Sequence, residues 1–452
     1  MRVALIDTPK FVDIIRHRTP SDMYLKDIVL VLALSWTWCL VLNASWQVDP
    51  LQPGDPHTFV KIANQILDEH FWGEPPDLGF RSWRAYGYPT FIAAVYAMTG
   101  RDPANVVVAQ YVLLGVLNLI IFAITWRLFR ERSLSWIAVG LSLSYLPLYY
   151  YASVLYADFF FLILVGLATL LTITLIQRQE SARIWPLGLL CGAVWTSAML
   201  TRIVLTYFPL YALGCVLLLY FFRHYLTPIP YPRLGLKLLA IFAGAVLALA
   251  PWTIRNYTVH GKFLLNGSYG GHNVFTAHYP LTRYEHWPRR IPAELWPEID
   301  QAIAKVQTNH DEVDQDRILS RMGTEIVLRY PLRFVEKCAM EFLKYFTRAG
   351  AYGQGLVWYL SWAQYMVLVA LAAAGWILSR DLWVRSILGI YISYFALVHS
   401  VVFAMSRLKE AIMPALLILA ACGLYHLWQT ATNHLGTRTQ IASSPQRASI
   451  QQ

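Results

Sequence analysis

The residues best suited to chemistry in this 452-residue chain are two aspartates and several basic residues near the ends of long apolar segments. Asp55 follows the first of these segments by about ten residues, directly after Gly54. In a partly dry cleft its carboxylate could act as a general base that takes a proton from a hydroxyl nucleophile. We expect burial there to raise its pKa. A helical pattern also follows Asp55, so an N-cap role is the structural alternative.

The second aspartate, Asp158, opens another apolar segment. Acids at membrane depth commonly face a cavity and a charged partner. Asp158 could position an acceptor, assist Asp55, or bind a divalent cation together with it. A simple ion pair, or a negative charge at the positive end of a helix, explains it equally well. The histidines and acids show no metal-ligand spacing, so no resident cofactor is predicted and a divalent cation is left as an option.

The basic residues point to an anionic ligand. Arg255 and Arg202 stand at the ends of apolar segments, where the phosphate of a membrane-embedded ligand would lie. A guanidinium can bind phosphate with two parallel hydrogen bonds and keeps its charge. We therefore expect Arg255 to bind phosphate, with an anchor at the membrane interface as the alternative. The same two interpretations apply to Arg84, Arg202, Arg407 and Lys409.

The elements that carry these residues are predicted to be membrane-spanning helices. Hydrophobic residues make up 57% of the chain and charged residues 14%, and the mean hydropathy is +0.43. This composition favours an all-α polytopic membrane protein with about ten transmembrane helices. The predicted spans are 27–45, 104–126, 134–152, 158–176, 184–200, 203–222, 236–252, 354–378, 385–405 and 410–428.

The distribution of charge predicts the topology. With the N-terminus in the cytoplasm, the inward segments hold the whole formal charge of +10, as the positive-inside rule requires. The predicted organisation is a cytoplasmic segment at 1–26 without a cleaved signal, a transmembrane domain at 27–428, and a cytoplasmic tail at 429–452. This tail is rich in polar residues and is predicted to be disordered. Both termini are thus expected in the cytoplasm.

Two long extracytoplasmic loops are predicted, at about 44–102 and 253–353. The first contains apolar residues at helical spacing, from Phe59 to Leu67, and a short apolar stretch from Tyr88 to Met98. The second ends in a run with helical periodicity that Pro331 interrupts. These segments are predicted to be helices lying at the membrane interface.

The same composition excludes two classes of protein. The basic residues are scattered over short loops and tails and form no stripe with aromatic residues, so we predict no nucleic-acid binding and assign the charge to topology and contact with membrane lipid. Five cysteines without paired spacing predict neither a disulfide framework nor a zinc motif.

Several motifs in order along the chain resemble the GT-C superfamily of integral-membrane glycosyltransferases, near its protein-mannosyltransferase-like and aminoarabinose-transferase-like branches. The most specific is Pro251-Trp252-Thr253-Ile254-Arg255-Asn256-Tyr257. The others are Asp55 with Phe59-x-x-Ile62-Ala63, Arg84-Ala85-Tyr86-Gly87-Tyr88-Pro89, Asp158, Leu200-Thr201-Arg202, Gly270-Gly271-His272-Asn273 and Ser406-Arg407-Leu408-Lys409 through Pro414.

This resemblance implies inverting transfer of a sugar from a polyprenyl-phosphate carrier to a lipid, glycan or protein acceptor on the extracytoplasmic side. It implies Asp55 and Asp158 as catalytic residues. The basic residues Arg84, Arg202, Arg255, Arg407 and Lys409 would bind the donor phosphate, and Tyr86, Tyr88, Asn256 and His272 would bind substrate. Two other classes fit the sequence, namely a transporter or flippase of a lipid or lipid-linked sugar, and a non-catalytic subunit that binds the carrier lipid.

Overall fold

The computed structural model describes residues 25–75, 79–178, 181–221, 233–278, 297, 301, 304, 306, 311–348, 356–379 and 381–443. These residues form helices and no strand, so the predicted all-α polytopic class is confirmed. The first eight helices are α1 Leu25–Ser45, α2 Asp55–Glu69, α3 Gly87–Thr99, α4 Pro103–Phe129, α5 Arg132–Ser144, α6 Leu146–Ser153, α7 Ala157–Gln177 and α8 Ile184–Met199. The next eight are α9 Phe208–Phe221, α10 Leu234–His260, α11 Gly270–His278, α12 Glu312–Arg329, α13 Pro331–Thr347, α14 Leu356–Leu378, α15 Leu382–Val401 and α16 Met413–Ser443.

Among the described residues, seven helices are long and apolar enough to cross a membrane, so the predicted count of ten is not confirmed. The seven are Leu25–Ser45, Pro103–Phe129, Ala157–Gln177, Leu234–His260, Trp358–Leu378, Val384–Val401 and Ser406–Thr432. The other three predicted spans coincide with shorter helices. Segment 134–152 is divided between α5 and α6, because Pro147 cannot continue the hydrogen-bond ladder of α5.

The first long loop has a small hydrophobic core of its own. Helices α2 and α3 pack on each other through Phe59, Ile62, Ile66, Tyr88 and Ile92, all buried. The apolar periodicity predicted from the sequence is therefore the buried face of α2. This core joins the beginnings of α4 and α7, which fixes the orientation of α2 against the membrane-spanning bundle.

The second long loop contains α11, α12 and α13. Helices α11 and α12 pack on each other, and α12 gives way to α13 at Tyr330, directly before Pro331. The predicted helical run with its interruption at this proline is confirmed. Helix α13 packs on α15 and on the 3-10 helix Ser406–Ile412.

The two predicted cytoplasmic ends are described only in part. Residues 1–24 of the N-terminal segment lie outside the described residues. The last helix, α16, continues to Ser443 and so extends into the tail predicted to be disordered, whose final residues 444–452 also lie outside the described residues.

Candidate active site

Asp55 is the first residue of α2 and lies between two arginines. Gly54 precedes it with a φ of 102°, a conformation that favours glycine, and makes no side-chain capping bond. The Oδ1 atom of Asp55 accepts a hydrogen bond from Arg84 at 3.3 Å, and Oδ2 accepts one from Arg407 at 3.0 Å. The carboxylate is thus engaged by side chains from two distant segments. The N-cap interpretation is not what the geometry shows.

The pKa of Asp55 lies below its ordinary value, which corrects the expectation of a raised pKa. Burial is the largest single influence and does raise the pKa, as predicted. The charges and hydrogen bonds of Arg407 and Arg84 together outweigh it. Sequence reasoning foresaw the burial but could not foresee that two arginines would share this carboxylate. Asp55 is therefore ionised at neutral pH.

Asp158, in the first turn of α7, pairs with Arg202, which follows α8. Its side chain is only 7% exposed, whereas the side chain of Asp55 is 30% exposed. The ion pair foreseen as one interpretation of Asp158 is thus present. Asp158 also interacts electrostatically with Arg407, whose guanidinium lies 5.1 Å from the ring centre of Tyr156.

These contacts join five segments of the chain into one charged cluster, which we call the Asp55 cluster. Its members are Asp55, Asp158, Arg84, Arg202 and Arg407. Two carboxylates face three guanidiniums, so the cluster has one positive charge in excess. Since the side chains of Arg84 and Arg407 are 30% and 28% exposed, an anionic ligand can reach them without unfolding the site.

A close backbone contact holds two of the sequence motifs together. The backbone N–H of Gly87 donates to the carbonyl of Leu200 at 2.8 Å. A Cβ atom at position 87 would stand 2.5 Å from Oγ1 of Thr201, too close for a real contact. Glycine at this position therefore lets the turn carrying Arg84 approach the end of α8, where Arg202 lies.

Two buried glutamates hold the turn that carries Arg84, and sequence reasoning missed both. Glu74 accepts hydrogen bonds from the backbone N–H groups of Trp83 and Arg84 at 2.9 and 2.7 Å. Glu312 accepts from those of Arg81 and Ser82 at 2.7 and 2.8 Å. The signal available in the sequence was Glu74 itself, an acid among aromatic residues with no assigned role. Burial, the largest influence, raises the pKa of Glu74 to about 7.

Arg255 is placed differently from the arginines of the Asp55 cluster. Its guanidinium donates to Oγ of Ser82, to Oδ1 of Asn256 at 2.9 Å and to the carbonyl of Arg81 at 2.9 Å. It also lies 4.6 Å from the ring centre of Phe71. Within the described residues, no hydrogen bond or ion pair joins it to Asp55. These hydrogen bonds fix the 81–82 turn to α10. Neither the phosphate-binding nor the membrane-anchor interpretation of Arg255 included this role.

Three other predicted ligand residues are enclosed in the protein. Lys409 is 1% exposed, donates to the carbonyl of Arg348 at 2.8 Å and lies on the ring of Tyr365. Tyr88 is fully buried and donates to Gln110 at 2.9 Å. Asn256 is fully buried, and its Nδ2 donates to two backbone carbonyls of the following loop at 3.0 Å each. In this structure their contacts are with the protein itself.

The remaining two predicted substrate-binding residues lie beside the 81–84 turn. Tyr86 is half-buried, with its ring centre 4.3 Å from that of Trp252. His272, at the start of α11, stacks on Tyr269 at 4.9 Å and lies against Trp83. Burial lowers the pKa of His272, so its ring is neutral at neutral pH. Across the described part of the chain, no three His, Cys, Asp or Glu side chains gather in a way that could hold a metal ion.

The fold is similar to that of a solved oligosaccharyltransferase. The chain superposes on the oligosaccharyltransferase of Archaeoglobus fulgidus, solved with zinc and sulfate, with a TM-score of 0.54 and 13% identity over 91% of this chain and 51% of that one. It therefore spans about half the length of that transferase.

Weaker similarity is found to ArnT from Cupriavidus metallidurans. The apo structure gives a TM-score of 0.41 with 15% identity, covering 88% of this chain and 77% of that one. The structure bound to undecaprenyl phosphate gives 0.41 with 13% identity, covering 89% and 78%. The sequence matches no family model and no curated protein.

Proposed function

We propose that this protein is an inverting glycosyltransferase that moves a sugar from a polyprenyl-phosphate carrier to a lipid, glycan or protein acceptor. The observation that carries the proposal is the Asp55 cluster, in which an accessible, ionised carboxylate is held between two accessible arginines. Such a site offers both a proton acceptor and a place for a phosphate. We place the reaction on the extracytoplasmic face, which the charge distribution in the sequence favours.

In the proposed reaction, the acceptor oxygen attacks the anomeric carbon of the donor. The new glycosidic C–O bond forms as the bond from the anomeric carbon to the phosphate oxygen breaks, and polyprenyl phosphate leaves with the bonding electrons. Arg84, Arg202 and Arg407 stabilise the charge that accumulates on this phosphate. The proton of the acceptor hydroxyl passes to the carboxylate of Asp55.

The two arginine partners of Asp55 determine when it can act as a base. In the free protein they hold its pKa low, so Asp55 is a weak base. A donor phosphate competes for Arg84 and Arg407, and the loss of these contacts raises the pKa of Asp55. Donor binding would therefore strengthen the base. We assign Asp158 to fixing Arg202 beside the phosphate, because Asp158 is buried and has little access to an acceptor.

Other predicted residues have smaller parts in the proposal. Tyr86 and His272 lie beside the 81–84 turn, and we assign them to contact with the sugar or the prenyl chain. Arg255, Asn256, Tyr88 and Lys409 support the site through their contacts with the protein.

The decisive experiment measures release of polyprenyl phosphate by purified protein given polyprenyl-phosphate sugars and acceptors. We expect Asp55→Asn to lower turnover by roughly 100- to 10,000-fold, the usual contribution of a general base. Asp68→Asn is a matched control, because Asp68 is in the same helix and pairs with Arg101 in an exposed ion pair. Full turnover by Asp55→Asn would contradict the proposed role of Asp55.

The same preparation separates the other two classes. Transport of a lipid-linked sugar across a vesicle bilayer without release of polyprenyl phosphate would establish a flippase. Binding of polyprenyl phosphate with neither transport nor release would establish a carrier-lipid-binding subunit. Either result would replace the proposed enzyme.

A further inference from the structure

Arg407 lies just after a short segment of the chain that is not helical. Helix α15 ends at Val401, and the 3-10 helix that contains Arg407 begins at Ser406. The residues between them, 402–405, are called the strap here. Because the strap is not helical, its position must be fixed by contacts with other parts of the protein.

The end of α15 and the start of the strap are bound by a buried lysine of α13. Lys337 is 5% exposed, and its Nζ donates to the carbonyl of Ser400 at 3.2 Å and to the carbonyls of Val401 and Val402. The last carbonyls of a helix lack partners within the helix and carry a partial negative charge. The lysine ammonium satisfies them with its three donors.

A second buried residue of α13 binds the strap from the same side. Oε2 of Glu341 accepts the backbone N–H of Ala404 at 2.8 Å, while Oε1 accepts Lys344 at 2.7 Å. One further turn along, the hydroxyl of Tyr345 donates to the carbonyl of Leu408, next to Arg407, at 3.4 Å. The spacing of four residues places these side chains on one face of α13.

The opposite face of α13 has a different character. Leu332, Val335 and Leu343 are 84%, 62% and 63% exposed, and they face away from the strap. The face with Lys337, Glu341 and Tyr345 contacts the segment that leads to Arg407. Burying two charged groups is costly compared with burying apolar ones. Their contacts with successive backbone groups of the strap give them a use that apolar residues could not provide.

We propose that Lys337 and Glu341 are positioning residues that set the place of Arg407 relative to Asp55. Neither side chain reaches the Asp55 cluster, so both act through the backbone of the strap. The kinetic part of this inference rests on the proposed function. The structural part does not, because it concerns only which residues hold the strap.

The structural part is tested by hydrogen exchange of the backbone amides of residues 402–408 in the full-length protein. We expect Lys337→Met and Glu341→Gln to speed exchange there by about tenfold or more, since these amides report local opening. The controls are Arg333→Met and Glu336→Gln, at exposed positions of the same helix. Unchanged exchange at 402–408, or an equal increase across α2 and α3, would overturn the proposal.

The kinetic part is tested with a double-mutant cycle. We expect Lys337→Met to lower kcat/KM for the donor by roughly 10- to 100-fold, because a small misplacement of a reacting group can cost that much. Adding Lys337→Met to Arg407→Ala should cost little more than Arg407→Ala alone, because both act through one guanidinium. If the loss of activity in the double variant equals the product of the two single losses, the positioning role is overturned. If the wild-type protein releases no polyprenyl phosphate, the proposed function fails and the exchange experiment still decides the role of the strap.

Discussion

Arg407 and Arg255 are both arginines near the ends of membrane-spanning segments, yet their surroundings differ. Arg407 donates to the carboxylate of Asp55, whose side chain is 30% exposed. The guanidinium of Arg407 also lies over the ring of Tyr156. Arg255 spends its hydrogen bonds on Ser82, Asn256 and a backbone carbonyl. One guanidinium is held by a charged carboxylate, and the other by neutral groups of the protein.

The difference shows that an arginine near the end of a span is not a phosphate-binding residue by its type and position alone. The motif around Arg255 is the most specific match in the sequence, and Arg407 lies in the least well matched element. The structure nevertheless places Arg407 at the accessible carboxylate of Asp55 and Arg255 at the contact between the first long loop and α10. The charge of the partner group, rather than the strength of a motif, distinguishes the two arginines in this structure.

The largest expected effects test this contrast directly. Arg407→Ala should lower turnover by about 100-fold, comparable to the loss of one donor that stabilises developing charge, with little change in thermal stability. Arg255→Ala should lower the free energy of unfolding by about 2–4 kcal/mol, because it leaves buried acceptors unpaired. Turnover per folded molecule and thermal unfolding in detergent measure both. A stable Arg255→Ala protein with lost turnover would reverse the two assignments.

A second prediction concerns Glu74, which binds the same 81–84 turn as Arg255 does. Its ordinary pKa is 4.5 and its folded pKa is about 7, so between these values the folded state holds a proton that the unfolded state has lost. Stability should therefore fall as the pH rises from about 4.5 to about 7, by at most about 3 kcal/mol. Thermal unfolding across this window tests it. Glu74→Gln should remove this slope, whereas Glu325→Gln, at an exposed position of α12, should keep it.

A third prediction concerns Arg84, the other partner of Asp55. Since Arg84 lowers the pKa of Asp55, Arg84→Ala should raise that pKa. Asp55 must be ionised to accept a proton, so the acidic limb of the pH profile of kcat/KM should move to higher pH. Profiles of the wild type and Arg84→Ala measure this. A limb that moves to lower pH would mean that another group controls it.

The smallest expected effect concerns Tyr156, beneath Arg407. Tyr156→Leu removes the aromatic ring and should raise the donor KM about threefold, the usual scale of a partly exposed cation–π contact. Tyr156→Phe keeps the ring and should behave like the wild type. Equal effects of the two substitutions would show that the hydroxyl, rather than the ring, is what matters.

More of the fold than of the candidate site could be predicted from the sequence. Burial on one face of a helix imposes a repeat of three to four residues, so Phe59, Ile62 and Ile66 predicted α2 before its partners were known. No such rule links Asp55 to Arg407, which lies 352 residues later in the chain. Glu312 is likewise 231 residues from Arg81, whose backbone it binds. These pairings arise from tertiary packing and leave no local pattern.

Residue type also could not separate ligand-facing aromatics from core aromatics. Tyr86 and Tyr88 are two residues apart in one motif, and both were expected to contact substrate. Their positions on a turn and a helix send Tyr86 against Trp252 and Tyr88 into the core with Phe59. Tertiary packing decides between these outcomes, and the motif itself carries no record of it.

The contact of Glu312 with the 81–82 turn has a consequence for biosynthesis. At ordinary rates of translation, roughly ten to fifty seconds separate the synthesis of this turn from that of Glu312. Arg407 is made later still. A ribosome-bound chain therefore carries Asp55 before the groups that complete its surroundings have been made. The Asp55 cluster can therefore be completed only after Arg407 has been synthesised.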